Sequence, residues 1–393
     1  MACHFRKLPL VRLTAKGRRW QRTGHPWIYR DDLAEDPALP AGELVAVLDH
    51  HDTFLGQAFY SAASRIALRF VTYGEEEVNA SFWGDRAREA LAWRRKVAPA
   101  SNAIRLIHGE ADGFPGLVVD SYAGHLAVQT LHPGMERHLP VIIDVLRRLV
   151  EPNSITLRHD AEVRRLEKLP LEVKTIWGEL PERVEVWEGQ VKFAVDVRGG
   201  QKTGLFLDQR DNRLAAVRWS EGAVLDAFAY QGGFAMHLAP KAEQVTLVDS
   251  SGLALAQARE NARLNGLTNL EFVQDNVFTF LKKAVQEGRR YEVIVLDPPA
   301  FAKSRAERPG ALKGYREINR RAFQLLKPGG LLITSSCSYN ISEREFLEVV
   351  RQAALEARRT ARLVARRGAS LDHPVLLSLP ESLYLKCFFL AVA

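Results

Sequence analysis

From about Val191 onward the chain alternates short apolar runs with amphipathic segments, at a spacing typical of strand-helix units. The predicted strands cover residues 224–228, 245–249, 270–273, 293–296 and a run that ends at Cys337, and a long helix is predicted over 252–265. Repeated strand-helix units imply a doubly wound, mainly parallel α/β sheet. Because ligands bind such sheets beyond the carboxyl ends of the strands, the functional residues are expected at those positions.

The rest of the 393-residue chain is long enough for further domains. Short β segments at 44–48, 54–60 and 66–70 predict a small barrel over residues 1–74, with the acidic cluster Glu75-Glu76-Glu77 at its boundary. Helices over 80–96 and 135–149 and strands at 116–120, 125–130 and 154–157 predict a central mixed α/β domain over 75–188. The polar stretch 164–188 is interpreted as a linker plus a hairpin, so the third domain is expected over 189–393.

Composition and the cysteines exclude several classes of protein. With 47% hydrophobic and 26% charged residues and no apolar run of the ~18 residues that a membrane span needs, no membrane association is expected. The first residues lack the apolar core of a secretory signal, so we expect a cytoplasmic protein. Cys3, Cys337 and Cys387 are too few and too far apart for a disulfide framework or a zinc site, so no metal is expected. Cys387, between apolar residues, is predicted to be a buried core thiol.

The distribution of positive charge indicates a polyanionic partner. The net charge is +7, and the first thirty residues hold eight Lys or Arg and no Asp or Glu, interleaved with aromatic residues. Proteins that bind nucleic acid contact the phosphates with basic side chains and stack bases on aromatic rings, so such a mixture is typical of them. The predicted RNA contacts are Arg18, Arg19, Trp27 and Arg30 in this segment, together with Phe301 and Lys303 in the third domain.

The first strand-to-helix turn of the third domain, residues 226–233, carries a glycine pair but not the Gly-x-Gly-x-x-Gly spacing of a dinucleotide site. An oxidoreductase is therefore disfavoured. Asp249, at the end of the second strand, is placed to accept hydrogen bonds from both hydroxyls of a ribose. Asp226 is placed to receive an amine. Asp275 is expected either to lie at the edge of an adenine or only to cap a helix. These acids predict S-adenosylmethionine as cofactor. The full set of predicted cofactor contacts is Phe206, Gln209, Arg210, Asp226, Phe228, Tyr230, Gly232, Asp249, Ser250, Asp275, Asn276 and Asp297.

Two strand ends indicate covalent chemistry on a pyrimidine. Cys337 closes one apolar strand, and Asp297-Pro298-Pro299-Ala300-Phe301 closes another. Methyl transfer to pyrimidine C5 needs a thiolate that adds at C6, which we assign to Cys337. Asp297 is expected to hold the N3 and N4 edge of a cytosine, and Phe301 to stack on the base. No residue is singled out as the base that removes the C5 proton.

These motifs resemble those of the bacterial 23S ribosomal RNA cytosine-5 methyltransferases of the RlmI and RlmO kind. The resemblance rests on residues 206–213, 296–301 and 335–338, and on Gly24-His25-Pro26-Trp27-Ile28-Tyr29, and it extends over nearly the whole chain. It implies a PUA domain, a central α/β domain and a Rossmann-like class I methyltransferase domain. It also implies S-adenosylmethionine as cofactor, Cys337 as nucleophile, and 23S ribosomal RNA or the assembling large subunit as partner; a homodimer is compatible with it. Related enzymes often carry histidine where this chain has Tyr339-Asn340, which leaves the neighbouring acid/base group open.

Two other functions remain open from the sequence. The Asp-Pro-Pro-x-Phe motif also suits a methyltransferase acting on an exocyclic amine or on guanine N7, with Cys337 merely structural. A non-catalytic ribosomal RNA-binding assembly factor would instead use the basic first thirty residues and the arginines between Arg351 and Arg367, although that run is more typical of a solvated helix face.

Overall fold

The computed structural model describes residues 7–302 and 304–393. Lys303 and Cys3 lie outside the described residues. Two compact units can be distinguished. The first comprises the chain up to Val186 with Val195–Leu205 and Leu371–Ser382, and the second comprises Trp187–Ala194, Phe206–Ser370 and Leu383–Ala393.

The first unit begins with a five-stranded sheet that has the strand order β1-β3-β4-β5-β2. Its elements are β1 (Leu10–Arg12), α1 (Ala15–Gln21), β2 (Trp27–Tyr29), β3 (Leu44–Leu48), β4 (Phe54–Tyr60) and β5 (Ile66–Thr72). The strands predicted from alternating apolar residues are confirmed as β3, β4 and β5. Strands β1 and β2 have three residues each, too few to show a periodic pattern.

A second five-stranded sheet in the same unit has the order β10-β9-β8-β7-β6. Its elements are α2 (Ala80–Val97), β6 (Ala103–His108), β7 (Leu117–Tyr122), β8 (His125–Thr130), α3 (Pro133–Val150), β9 (Ser154–His159) and β10 (Glu172–Gly178). The apolar faces of α2 and α3 share one core with the sheet, which contains Trp83, Leu126 and Leu146.

Part of the predicted linker over 164–188 is in fact the edge strand β10, which pairs antiparallel with β9. The interpretation of that part as linker was wrong because an edge strand keeps both faces in solvent. Val173 and Trp177 are 40% and 42% exposed, and Ile176 directly precedes Trp177, so no regular apolar period marks the strand. The hairpin predicted within 164–188 lies further along the chain: β11 (Val184–Glu188) pairs with β12 (Val191–Val195), which is outside the predicted stretch.

The second unit is built on a seven-stranded sheet with the order β15-β14-β13-β16-β17-β19-β18. Its elements are α4 (Arg210–Ala216), β13 (Ala223–Ala227), α5 (Gly233–Leu238), β14 (Gln244–Asp249), α6 (Gly252–Leu264), β15 (Leu270–Gln274), α7 (Val277–Gln286), β16 (Tyr291–Leu296), α8 (Arg308–Leu325), β17 (Leu326–Ser336), α9 (Glu343–Glu356), β18 (Ala361–Arg367) and β19 (Lys386–Val392). Strands β13 to β17 run parallel and β19 is antiparallel to both of its neighbours. The predicted doubly wound, mainly parallel sheet is confirmed.

The arginines between Arg351 and Arg367 do not form one helix face, so that interpretation was wrong. Helix α9 ends at Glu356 and β18 begins at Ala361. Arg359 donates from Nε to the carbonyl of Phe323 at 3.2 Å, and Arg367 donates from Nε to Asn212 Oδ1 at 2.9 Å. Two of these cations therefore hold the second unit together.

Over the described ranges, no helix is both long and apolar enough to cross a membrane.

Gly134 in α3 and Gly310 in α8 make a matched pair for testing the packing. A Cβ on Gly134 would lie 2.3 Å from Cγ of the buried Phe59 ring, whereas a Cβ on Gly310 would meet no described atom within 4 Å. We expect Gly134→Ala to lower the free energy of unfolding by about 1–3 kcal/mol through overpacking. Gly310→Ala should leave it unchanged or raise it by up to about 1 kcal/mol. Thermal unfolding of the two variants checks this, and equal melting temperatures would contradict it.

Candidate active site at the carboxyl ends of the parallel strands

The turn between β13 and α5 is a sharp loop beyond the carboxyl end of the central strand. Phe228, Tyr230 and Gly232 all adopt left-handed backbone conformations, with φ of 64°, 50° and 80°. Asp226, the last but one residue of β13, is 1% exposed and its Oδ2 accepts a hydrogen bond of 2.9 Å from the backbone N–H of Ala235. The acid thus stabilises the start of α5, where backbone N–H groups lack helical partners.

Asp249 fixes the same turn from the end of β14. Its Oδ2 accepts from the backbone N–H of Tyr230 at 2.9 Å, and its Oδ1 accepts from the backbone N–H of Ser251 at 2.8 Å. A carboxylate has about four acceptor positions, so both oxygens keep capacity for a ligand. The structure therefore brings the predicted acid Asp249 to the predicted loop.

Asp275 and Asn276 follow β15 at the same edge of the sheet. The Asp275 backbone N–H donates to the carbonyl of Asp249 at 3.2 Å, which sets the two acids side by side. The Asn276 side chain caps α7, because its Oδ1 accepts from the Phe278 N–H at 2.9 Å. Ser250 is exposed, and its carbonyl accepts from Gln274 Nε2 at 3.4 Å.

The closeness of these acids changes the ionisation of Asp226. Burial, and after it the negative charges of Asp297 and Asp249, raise the pKa of Asp226 to about 8, against the lowering effect of the Ala235 N–H and of Arg213. Asp226 is therefore mostly protonated at neutral pH when no cation faces it.

Gln209 joins the ends of two neighbouring strands. This side chain is 2% exposed, and its Nε2 donates to Asp297 Oδ1 at 2.7 Å and to Ser335 Oγ at 3.2 Å. Its Oε1 accepts from Asn212 Nδ2 at 2.6 Å. The amide orientation of Gln209 is thereby determined, and it holds the Asp297 carboxylate beside β17.

Arg213 is a further buried residue of the site that sequence reasoning missed. It donates to both carboxylate oxygens of Glu188, from Nε at 3.0 Å and from Nη2 at 2.6 Å, and from Nη1 to the carbonyl of Phe206 at 3.0 Å. The Phe206 ring meets the Tyr230 ring edge-on, with 5.2 Å between centroids. The one sequence signal for the role of Arg213 was its position at the end of the motif over 206–213.

Arg210, a predicted cofactor contact, is 1% exposed and donates from Nε to Asp211 Oδ1 at 3.0 Å.

Cys337 lies directly after β17, half-buried, facing the Asp-Pro-Pro loop. Its Sγ is 3.7 Å from the carbonyl oxygen of Pro298. The two strand ends singled out in the sequence therefore meet, because β16 and β17 are adjacent parallel strands whose register pairs Leu296 with Thr334. The Phe301 ring packs 4.6 Å from the Tyr315 ring, between centroids, and remains partly exposed.

A chain of hydroxyl groups joins the two loops. Tyr315 Oη is 3.0 Å from Ser338 Oγ and accepts from Ser336 Oγ at 3.1 Å. Ser338 Oγ accepts from the backbone N–H of Ala302 at 3.3 Å. Burial raises the pKa of Tyr315, so its hydroxyl stays neutral. These contacts fix the residues on both sides of Cys337.

Cys387 differs from Cys337 in its surroundings. It is fully buried in β19, and burial raises the pKa of its thiol to about 12. The prediction that Cys387 is a core residue is confirmed, and a thiol that stays protonated is unreactive. Within residues 7–302 and 304–393, no cluster of three His, Cys, Asp or Glu side chains is placed to hold a metal ion.

The predicted RNA contacts of the first unit lie in different surroundings. Arg19 is exposed, whereas Arg18 pairs with Asp49, with 3.5 Å between Nε and Oδ2. Trp27 donates from Nε1 to Glu110 Oε1 at 2.7 Å. Arg30 donates from Nη2 to the carbonyl of Ser61 at 2.6 Å. This hydrogen bond stabilises the fold of the first unit, which is sufficient to explain the position of the Arg30 side chain. The assignment of these four residues to RNA stays a prediction.

Comparison with known proteins places the chain in a family. The PUA-like domain family matches residues 11–73, and the S-adenosylmethionine-dependent methyltransferase family matches residues 105–368. Ribosomal RNA large subunit methyltransferase I of Klebsiella pneumoniae is 39% identical over 373 residues, which is 93% of each chain. The Aeromonas hydrophila protein of that name is 40% identical over 376 residues, 92% of this chain and 94% of that one. The chain belongs to this methyltransferase family.

Solved structures show the same fold across both units. A protein assigned as a methyltransferase and solved with bound SAH superposes with a TM-score of 0.85 at 21% identity, covering 98% of this chain and all of the other. An S-adenosylmethionine-dependent methyltransferase from Streptococcus mutans superposes with a TM-score of 0.83, also at 21% identity and 98% coverage. The match of residues 105–368 to the S-adenosylmethionine-dependent methyltransferase family identifies S-adenosylmethionine as the cofactor of this enzyme. The clustered carboxylates of Asp226, Asp249 and Asp275 fit its hydroxyls and its amine.

Removal of the Asp249 carboxylate should impair cofactor binding. Asp249→Ala removes the acceptors for the backbone N–H groups of Tyr230 and Ser251. Hydrogen bonds to a charged group contribute about 1.5–3 kcal/mol. We expect the dissociation constant for S-adenosylmethionine, measured by calorimetry, to rise about 10- to 100-fold. Asp85→Ala, which removes a carboxylate with 69% side-chain exposure, is the control and should bind normally. Equal affinities of the two variants would contradict the prediction.

The raised pKa of Asp226 predicts a pH-dependent stability. Because the folded state binds the Asp226 proton more tightly than the unfolded chain, this group lowers the free energy of unfolding progressively as pH rises from about 4 to about 8. Asp226→Asn keeps an oxygen for the Ala235 N–H and does not ionise. In cofactor-free protein, thermal unfolding should give similar melting temperatures at or below about pH 4 and a more stable variant at about pH 9. A constant difference between the two proteins would be inconsistent with this assignment.

Proposed function

We propose that this protein transfers a methyl group from S-adenosylmethionine to C5 of a cytosine in 23S ribosomal RNA, through a covalent bond between Cys337 and C6 of the base. The observation that carries the proposal is the position of Cys337. Its thiol lies outside the apolar core, 3.7 Å from the Pro298 carbonyl, in the loop beside Asp297. A merely structural cysteine would be expected to resemble Cys387, which is fully buried.

In the proposed reaction the Cys337 thiolate forms a bond from Sγ to C6, and the electron pair of the C5–C6 double bond moves toward C5. The cofactor supplies a methyl group bound to a positively charged sulfur. C5 takes that methyl group, and the bonding electrons of the broken bond stay with the cofactor sulfur. A base then removes the C5 proton, the C5–C6 double bond re-forms, and the Cys337 thiolate leaves C6.

The other site residues orient the two substrates. We infer that Asp297, held by Gln209, faces the N3 and N4 edge of the cytosine and accepts a hydrogen bond from the N4 amine, and from N3 once that nitrogen is protonated in the adduct. The exposed part of Phe301 stacks on the ring. Asp249 would receive the ribose hydroxyls, Asp275 the adenine edge and Asp226 the amine of the methionine end. A cationic amine close to Asp226 would favour its carboxylate form, which the protein alone disfavours.

The substrate assignment is supported by the relatives and by the first unit. The relatives that align along nearly the whole chain carry the name ribosomal RNA large subunit methyltransferase I. We propose that residues 1–74 form an RNA-binding domain, that 75–188 form a central domain, and that 189–393 carry the catalysis. The exposed Arg19 and the net charge of +7 favour contact with the RNA backbone.

Substitution of the proposed nucleophile tests the mechanism. We expect Cys337→Ala to reduce methyl transfer to ribosomal RNA by roughly a thousandfold or more, because no other group forms the bond to C6. Cofactor affinity, measured by calorimetry, should stay unchanged. Cys387→Ser is the matched control, since its thiol is protonated and buried, and it should change stability rather than the chemical step.

Two further measurements separate the alternatives. RNA carrying 5-fluorocytidine should trap the enzyme as a covalent complex that mass spectrometry assigns to Cys337, because a fluorine at C5 does not leave as a proton does. Ribosomal RNA from cells that lack the protein should have lost one 5-methylcytosine. Normal turnover by Cys337→Ala would favour methylation of an exocyclic amine or of guanine N7, and no activity of the intact chain would favour an assembly factor.

A further inference from the structure

A buried lysine lies at the loop that carries Cys337. Lys386, the first residue of β19, is 2% exposed. Its Nζ donates to the carbonyl of Ser338 at 2.7 Å and to the carbonyl of Tyr384 at 2.9 Å. Ser338 directly follows Cys337, so the ammonium group is anchored one residue from the thiol.

Among the described residues, the ammonium group of Lys386 forms no ion pair with a carboxylate. Burial of an ammonium group is costly unless a negative charge compensates it. In the described part of the chain, no carboxylate oxygen lies within 4 Å of Nζ, and its two hydrogen-bond partners are neutral carbonyls. The negative charges that act on it are Cys337, when ionised, and Glu343 and Glu345 in the first turn of α9.

We propose that Lys386 is a positioning residue whose positive charge holds Cys337 as a thiolate and fixes the loop that presents it. The role rests on the proposed function, because it serves a cysteine that must attack as the anion. It goes beyond that function by assigning a source for the activation of the thiol. Lys386 does not touch the base or the cofactor in this proposal; it acts through Cys337.

The ionisation of Lys386 agrees with this role. Burial lowers the pKa of Lys386 to about 8, while an ionised Cys337 raises it, followed by Glu343 and Glu345. At neutral pH most molecules therefore carry the ammonium form. Attraction between two groups is mutual, so a thiolate that favours the ammonium is itself favoured by it.

Two other groups near Cys337, Tyr315 and Asp297, differ from Lys386 in charge. Tyr315 on α8 has a raised pKa and a neutral hydroxyl bound to Ser336 and Ser338. Asp297, after β16, carries a carboxyl group, whose Oδ1 accepts a hydrogen bond from Gln209 Nε2. Lys386, in contrast, is a cation whose charge interacts with that of an ionised Cys337.

The test measures the reactivity of Cys337 in the full-length protein. Alkylation by iodoacetamide is followed by mass spectrometry of the Cys337 peptide across the pH range, because only the thiolate reacts. We expect Lys386→Met to move the pH midpoint of alkylation upward by roughly one unit or more. Methyl transfer should fall at neutral pH and recover at alkaline pH, whereas Lys386→Arg should keep a midpoint close to that of the unchanged protein.

Two controls accompany the measurement. Lys327→Met removes an exposed cation that pairs with Glu292 in the same sheet, and it should leave the midpoint unchanged. Cys387, next to Lys386, reports on folding, because a buried thiol with a pKa near 12 reacts only when the sheet opens. An unchanged midpoint in Lys386→Met with Cys387 still protected overturns the proposal.

If Lys386→Met exposes Cys387, that variant has lost its fold, and the interaction is tested instead with Cys337→Ala, which removes the other partner. In Cys337→Ala the lysine loses its partner, so the pKa of Lys386 should fall, as read from the NMR resonance of ¹³C-labelled lysine Cε. An unchanged titration of Lys386 overturns the proposal. A failure of the proposed function gives a different result from a failure of the Lys386 proposal. Normal methyl transfer by Cys337→Ala would show that the thiol has no catalytic role, even if the alkylation midpoint of Cys337 depends on Lys386.

Discussion

The parallel pairing of β13 with both β14 and β16, continued from β16 to β17, is the constraint on which the candidate active site depends. Parallel strands present all their carboxyl ends at one edge, so residues from four different loops meet there. The same geometry gathers Asp226, Asp249 and Asp297, whose like charges repel. The raised pKa of Asp226 expresses that repulsion together with burial, and a cationic ligand would relieve it.

Side chains from outside the parallel strands hold this edge in one arrangement. Gln209 bridges Asp297 and Ser335, and Arg213 bridges Glu188 and the carbonyl of Phe206. Ser338 joins the loop after β17 to Ala302 in the loop after β16. A site fixed by packed, hydrogen-bonded side chains keeps reacting groups near their productive geometry, which lowers the entropic part of the barrier.

The predicted elements and the missed ones differ in length and burial. Strands β13, β14, β16 and β17 were predictable because buried parallel strands are apolar runs. Strand β10 was not, because both of its faces meet solvent and leave no apolar period. The arginines between Arg351 and Arg367 looked like a helix face, yet Arg367 reaches Asn212, more than 150 residues away in the chain.

The sequence alone determined the class of fold and the family, and it predicted the acids at the strand ends and the choice of Cys337 over the other thiols. These features are local, because periodicity and short motifs record burial and backbone conformation residue by residue. Only the tertiary structure decided that Cys337 lies against Pro298, that Gln209 holds Asp297, and that Lys386 is anchored beside the thiol. Such contacts join residues far apart in the chain, and their distances depend on how strands and helices pack, which no local pattern encodes.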